Sequence, residues 1–472
     1  MKKSTSLIIK AIICLISILV VVFINLSVPV FALSSSEKSL IILSDNGAKE
    51  DAKKIQHKFP EAKVYLINEI NSLVVKDIQK YQISSIKQYI CENLNIPSND
   101  IVSNTEISVP NLKENIVNSK INTPLIAKET STESYDTWMW DIKQVTDNYQ
   151  SHLINKGSHN VKVGIIDSGI DFDHPDLKEN IIDVGKSFVP NDTSTQDNLG
   201  HGTMVAGTIA ANGKIKGIGP DLGIVPYKVF NERGGNSIWA IEAIIQATKD
   251  NMDVINLSLG TFKSIKNRED RGIVKAYQRA FKYAKKNNTI IVASSGNDGL
   301  NISNPKNLAE QLEKADDLVV HVPGGEKDVI TVAATNREKK LSSYSNYGNN
   351  ISISAPGGDY GPNFNQDSIF DLNSFIVATY PVHLPQTYVS KHLGFEQGYE
   401  LTVGTSFAAP KVTATIAVMK DQYLKQLGKE MTVKEVEKNL YKNVDKPIYD
   451  KENMAGKGIV NANKVLVDLK TK

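Results

Sequence analysis

The chain has 472 residues, of which 41% are hydrophobic and 22% charged. This is the make-up of a folded chain with room for roughly three domains of about 150 residues, not of a disordered, collagen-like or multi-span membrane protein. Lys and Arg total 54 against 52 Asp and Glu, for a net charge of +2, so the basic bias of a nucleic-acid binder is missing. The two cysteines, Cys14 and Cys91, and eight scattered histidines without a His-Glu-x-x-His pattern exclude a disulfide scaffold, a thiolate metal site and a zincin.

Residues 1–32 read as a signal peptide. Lys2 and Lys3 precede an apolar stretch from Ala11 to Leu26, and Val30-Phe31-Ala32 places small residues where a signal peptidase cuts. The run from Leu7 to Ala32 is also long enough to span a membrane; Asn25, Pro29 and the small-residue end favour cleavage. No second spanning run follows, so the expected product is secreted, extracellular and without a membrane anchor.

Residues 33–110 read as a small α+β unit. Strands are expected at Ser39–Ser44, over Ala62–Lys76 as one long or paired segment, and at Asp100–Val109, with helices at Ala48–Lys58 and Ser84–Leu94. Residues 111–136 are polar and suit a linker. From residue 137 to 472 the pattern becomes strand, loop, helix. Val161–Ile166, Gly223–Phe230, Asp253–Leu257, Thr289–Ala293 and Val329–Ala333 are buried-strand runs, with helical spacing over Ser237–Lys249 and Gly272–Lys286. Alternation of this kind predicts an α/β domain, a mostly parallel central sheet flanked by helices.

Three residues carry candidate chemistry. Asp167 ends the first strand of that domain, where α/β folds place their ligands, although Asp-Ser-Gly is also good turn chemistry. His201 is framed by Gly200 and Gly202, which let other backbone approach. Ser406, in Gly404-Thr405-Ser406, opens an apolar helix with Pro410 in its first turns, either as a cap or as a nucleophile where backbone N–H groups favour developing negative charge. Together they make a stronger case. A serine hydroxyl needs a base, imidazole suits that role near neutral pH, and a carboxylate fixes its tautomer. The order Asp, His, Ser is that of subtilisin, and differs from both chymotrypsin and the α/β-hydrolases. Gly404-x-Ser406-x-Ala408 also lacks the last glycine of the esterase G-x-S-x-G elbow.

Ile166-Asp167-Ser168-Gly169-Ile170-Asp171, His174-Pro175-Asp176-Leu177, Gly200-His201-Gly202-Thr203 and Gly404-Thr405-Ser406 resemble the signatures of the subtilisin family, over roughly Trp138 to Val465. Residues 33–110 resemble that family's foldase-inhibitor propeptides. Trp138-Met139-Trp140-Asp141-Ile142-Lys143, the long insertions and the secreted layout look most like the lantibiotic leader peptidases. The resemblance implies a subtilisin-like catalytic domain, a serine endopeptidase activity, and Asp167, His201 and Ser406 as its triad. It adds Asn297 as an oxyanion donor; by itself Asn297 reads as an ordinary turn residue. It implies that substrate pairs with Ser258-Leu259-Gly260 on one side and Gly234-Gly235 on the other. Asp298 falls near the rim of the pocket for the residue before the scissile bond (P1). There it is either an acidic group that favours Lys or Arg, or a solvated turn aspartate.

The expected partners are a peptide substrate, in this subgroup a lantibiotic precursor, and the chain's own propeptide. No cofactor is required for the chemistry. A structural calcium is doubtful, because Asn212–Gly219 is short and Asp176 alone cannot supply six to eight oxygens. The first arginine is Arg233, so strict Arg specificity would leave release of the prosegment to Lys120, Lys128, a relaxed site or another protease. Phe262–Asp270, Leu300–Asp328 and Asp359–Leu401 read as insertions, the last expected to overhang the groove. The rival functions are a general scavenging subtilase and an inactive subtilase that binds peptides.

Overall fold

A computed structural model describes residues 38–44, 47–79, 81–103, 105–108, 120–121, 132–448 and 455–471. The signal peptide expected at 1–32, Lys128 and most of the linker expected at 111–136 lie outside these residues.

The first described elements are β1 (Lys38–Leu43), α1 (Ala48–Lys58), β2 (Lys63–Ile67), β3 (Ser72–Ile78), α2 (Gln82–Asn93) and β4 (Ile101–Ser103). The strands pair in the order β2-β3-β1-β4, every pairing antiparallel. Because side chains alternate across a strand, β1 and β3 bury both faces. Leu40, Ile42, Leu73 and Val75 pack with Ile55 of α1 and Ile86 and Ile90 of α2. Ile41, Leu43 and Val74, with Val102 of β4, pack with helices of the next unit.

The expected strand at Asp100–Val109 divides. Its first part is β4; its second, β5 (Glu106–Ile107), leaves that sheet altogether. The two halves find partners in different sheets, which no local pattern encodes.

Residues 132–138, of which 132–136 fall in the stretch read as linker, form a helix, α3 (Thr132–Trp138), followed by α4 (Trp140–Thr146). Then come β6 (Lys162–Asp167), β7 (Lys186–Ser187), α5 (His201–Ala210), β8 (Gly223–Lys228), β9 (Gly234–Asn236), α6 (Ser237–Lys249) and β10 (Val254–Leu257). Next are β11 (Thr261–Ser264), α7 (Arg268–Lys286), β12 (Ile290–Ser294), β13 (Val319–Val322), β14 (Ile330–Thr335) and β15 (Ile353–Pro356). The last three labelled elements are β16 (Ile376–Thr379), β17 (Tyr399–Thr402) and α8 (Thr405–Leu427).

Seven strands form one sheet in the order β15-β14-β12-β10-β6-β8-β7, all pairings parallel. α5 and α8 pack on one face, α6 and α7 on the other. This is the subtilisin-like architecture expected, with a parallel sheet enclosed on both faces. α8 is buried at every position from Thr405 to Asp421, which is why that stretch is apolar or small except at Lys411, Lys420 and Asp421, each of which is in an ion pair. Strand ends and helix starts on this sheet converge on one edge, and the candidate residues lie there.

Candidate active site

Asp167 is the last residue of β6 and has no exposed surface. Its Oδ1 accepts from the Ser168 N–H at 2.8 Å and lies 2.8 Å from His201 Nδ1, with Oδ2 3.0 Å away. A carboxylate only accepts, so Nδ1 carries the proton and Nε2 is the free lone pair of the neutral ring. His201 Nε2 is buried and has no hydrogen-bond partner.

The glycine frame of His201 has a steric cause. Gly200 has φ 99°, in the left-handed region that favours glycine, and a Cβ there would stand 2.2 Å from Tyr380 Cε2; on Gly202 it would stand 2.1 Å from the Gly169 carbonyl oxygen. Asp197, a residue the sequence did not single out, holds this turn together. Its buried carboxylate accepts from Ser168 Oγ, the N–H groups of Leu199, Gly200 and Thr203, and Thr203 Oγ1, at 2.7–2.9 Å. Burial works to lower the His201 pKa, but the charges of Asp167 and, farther off, Asp197 outweigh it and hold the pKa above the usual 6.5.

Ser406 is the second residue of α8. Its hydroxyl donates weakly to the Ser258 carbonyl at 3.4 Å, so the bond to His201 expected of a triad is unmade in this resting geometry. Such bonds often tighten only when substrate is bound. Next to Ser406, the Phe407 ring centroid lies 5.6 Å from that of His201. Ser258 is fixed in turn: its Oγ donates to the Ser406 carbonyl at 2.7 Å and accepts from Asn256 Nδ2 at 2.9 Å.

Asn297 meets the same helix start. Its Oδ1 accepts from Thr405 N–H at 2.9 Å and Thr405 Oγ1 at 2.6 Å. Since the backbone N–H can only donate, the amide orientation is set, and Nδ2 lies on the opposite side, 3.4 Å from where a Cβ on Gly404 would be. The Phe407 N–H is taken by the Gly404 carbonyl, leaving that of Ser406 among the orphan donors of a helix start. Two donors are thereby available beside the serine hydroxyl, an arrangement able to bind an oxyanion.

A segment of the chain itself lies between the two edges expected to hold substrate. Gly235 and Asn236 of β9 pair antiparallel with Ile107 and Glu106 of β5. Ser108 bridges Gly260 on the other side, through N–H to carbonyl contacts of 3.4 and 3.5 Å. The chain's own residues 106–108 therefore lie extended between Gly234–Asn236 and Leu259–Gly260. Beyond Ser108 a cleft of about 300 Å³ is lined by Leu259, Gly260, Asn297, Asp298, His321 and Ser406, among others. Asp298 is held at its wall, where Oδ2 accepts from Asn346 Nδ2 at 3.2 Å.

The insertions divide their labour differently from expectation. Phe262 and His321, from the first and second, line the cleft, whereas no cleft-lining residue comes from residues 359–401. That third insertion instead buttresses α5 and the strand-end loop: Thr379 Oγ1 donates to the Thr203 carbonyl at 2.6 Å, Val382 N–H to Asp171 at 2.8 Å, and His174 Nε2 to the Gly398 carbonyl at 2.9 Å. Asp176 is engaged by Tyr399 Oη at 2.9 Å and Ile215 N–H at 3.0 Å. Among the described residues no three His, Cys, Asp or Glu side chains cluster to hold a metal ion.

The chain is similar to known proteins in sequence and in fold. The subtilase family model matches residues 158–459. The chain is 33% identical over 348 residues to the nisin leader peptide-processing serine protease NisP of Lactococcus lactis subsp. lactis, covering 67% of this chain and 50% of NisP, so it spans about half that relative's length. It is 29% identical over 395 residues to the epidermin leader peptide-processing serine protease EpiP of Staphylococcus epidermidis, covering 77% of this chain and 82% of EpiP. Among solved structures, EpiP of Staphylococcus aureus is similar with a TM-score of 0.69 at 27% identity, over 91% of this chain and 98% of that one. A lanthipeptide protease is similar with a TM-score of 0.65 at 32% identity, over 74% and 99%.

Proposed function

The chain belongs to the subtilase family, and from that premise we propose that it is a secreted serine endopeptidase that removes the leader of a lantibiotic-type precursor peptide after a basic residue. The observation that carries the reading is the buried Asp167–His201 pair, 2.8 Å apart, with an unpartnered imidazole Nε2 next to the helix that opens with Ser406.

In this mechanism Ser406 Oγ turns from the Ser258 carbonyl to His201 Nε2 and gives up its proton as it bonds to the scissile carbonyl carbon. The carbonyl electron pair moves onto oxygen, where Asn297 Nδ2 and the Ser406 N–H bind it. Asp167 keeps the ring in the Nδ1–H tautomer and stabilises the imidazolium. His201 then protonates the leaving amine, and water repeats the sequence on the acyl-enzyme.

The leader-peptidase role is supported by the similarity to NisP and EpiP, both leader peptide-processing serine proteases, and the basic preference by the Asp298 carboxylate at the cleft wall. Residues 33–110 act as the prosegment, with Glu106–Ser108 occupying the substrate groove until they are released. The test is to give the processed enzyme a leader-bearing precursor and, separately, casein. One cut after Lys or Arg at the leader junction is expected. Many cuts in casein would contradict a dedicated processor in favour of a scavenger, and peptide binding without cleavage would contradict the enzyme.

A further inference from the structure

One buried titratable side chain in the cleft has no part in the mechanism above. His321 lies on β13, which pairs antiparallel with β11 so that Phe262 stands opposite it, the two ring centroids 5.3 Å apart. It is only 5% exposed, yet it lines the same cleft as Ser406, Asn297 and Asp298.

The hydrogen bonding of the ring defines what it offers. Nδ1 lies 2.9 Å from the Gly324 carbonyl oxygen, which can only accept, so Nδ1 carries the proton and Nε2 is an acceptor. Nε2 sits against both backbone walls of the cleft: a Cβ would stand 2.5 Å from it on Gly260 and 3.0 Å on Gly296. Both walls are glycine at that height, and a side chain on Gly260 would run into the ring nitrogen. Burial pushes the His321 pKa below 6.5, against the pull of Asp298, the one charged group acting on it; Phe262, Gly260, Gly296 and Gly324 bring no charge. The ring is therefore neutral, and an acceptor, at neutral pH.

We propose that His321 is a second specificity-determining residue for P1, its Nε2 accepting a hydrogen bond from the terminal N–H groups of a Lys or Arg side chain in the cleft. The inference rests on the basic-residue preference proposed above and divides it in two. Asp298 supplies charge, and His321 supplies a directed acceptor. A buried acceptor discriminates strongly, because a side chain without a donor leaves it desolvated and unpaired.

The experiment uses peptides identical except at P1: arginine, its uncharged isostere citrulline, and norleucine. The arginine-to-citrulline ratio of kcat/KM reads the charge; the citrulline-to-norleucine ratio reads the acceptor. In His321→Leu the second ratio is expected to fall about tenfold while the first changes less than about twofold; Asp298→Asn should do the reverse. His321→Gln, which keeps an acceptor, should recover much of the second ratio. Active-site labelling of Ser406 checks that each variant is assembled. If His321→Leu does not assemble, His321→Gln and the wild-type citrulline-to-norleucine ratio decide, the latter expected to fall as acid protonates the ring; loss of His201 activity cancels in the ratio. An unchanged citrulline-to-norleucine ratio in the assembled His321→Leu variant, or its constancy with pH, overturns the His321 assignment alone. A wild type that takes arginine and norleucine equally overturns the basic-residue reading and this inference with it.

Discussion

The four-stranded sheet of residues 38–103 and the seven-stranded sheet of residues 162–356 close their apolar faces by different means. The parallel sheet is covered by helices on both faces, with α8, buried from Thr405 to Asp421, against one of them. The small sheet covers one face with its own two helices and lays the other on α6 and α7. At the rim of that contact stand ion pairs: Lys76–Glu242 at 2.9 Å, Lys249–Glu69 at 2.7 Å and Lys275–Asp100 at 2.7 Å. Arg279 reaches the carbonyls of Ser44, Ile70 and Asn71 at 3.0–3.2 Å. Rim pairs of this kind are weak and screened by salt. Under the proposed function the large sheet is the permanent scaffold and the small one is the part that is released.

Variants at the scaffold's catalytic edge should have the largest effect. Ser406→Ala is expected to lower kcat by about 10⁶, and Asp167→Asn by about 10⁴ through the wrong imidazole tautomer, on a peptide with arginine at P1. Asn297→Ala should cost about 10²–10³ in kcat with little change in KM, a magnitude known from subtilisin, itself a member of this family.

A stability test probes the permanence of the scaffold. Lys411 of α8 and Asp141 of α4 form a pair of 2.7 Å with both side chains essentially inaccessible, and burial lowers the Lys411 pKa against the pull of Asp141. Lys411→Met leaves a buried carboxylate unpaired and should cost about 3–5 kcal/mol. Adding Asp141→Leu should restore part of that in urea unfolding. A single variant as stable as wild type would show that α4 is not locked to α8 by this pair.

The side proposed as prosegment should respond more gently. Arg279→Ala should weaken inhibition by the cleaved prosegment about tenfold, by removing charge-assisted bonds to carbonyls, and 1 M salt should weaken it further. The smallest effect is a shift in a profile. His201 must be neutral to act as base, and its folded pKa lies above 6.5, so kcat/KM should fall as pH drops through a midpoint above 6.5, measured in the processed enzyme.

The scaffold was the more legible region. The helix over Ser237–Lys249 and the five parallel strands follow from local periodicity, as does the helix over Ala48–Lys58 in the smaller unit. Asp167, His201 and Ser406 were legible because their motifs are contiguous in sequence. What escaped notice depends on distant partners. Asp197 looks like an ordinary turn residue until five donors converge on it. His321 sits in a stretch read as an insertion and reaches the cleft only because β13 pairs with β11. The fate of Asp100–Val109 depends on β9, more than a hundred residues later, and the position of residues 359–401 on the side of α5 depends on Gly200 leaving room for Tyr380.

The central claim is that Ser406 is an activated nucleophile. It is tested most directly by the intact mass of the processed chain after treatment with a fluorophosphonate, beside Ser406→Ala. A single adduct that maps to Ser406 and is absent from the variant is the predicted result. A folded, prosegment-free chain that takes no adduct would contradict it.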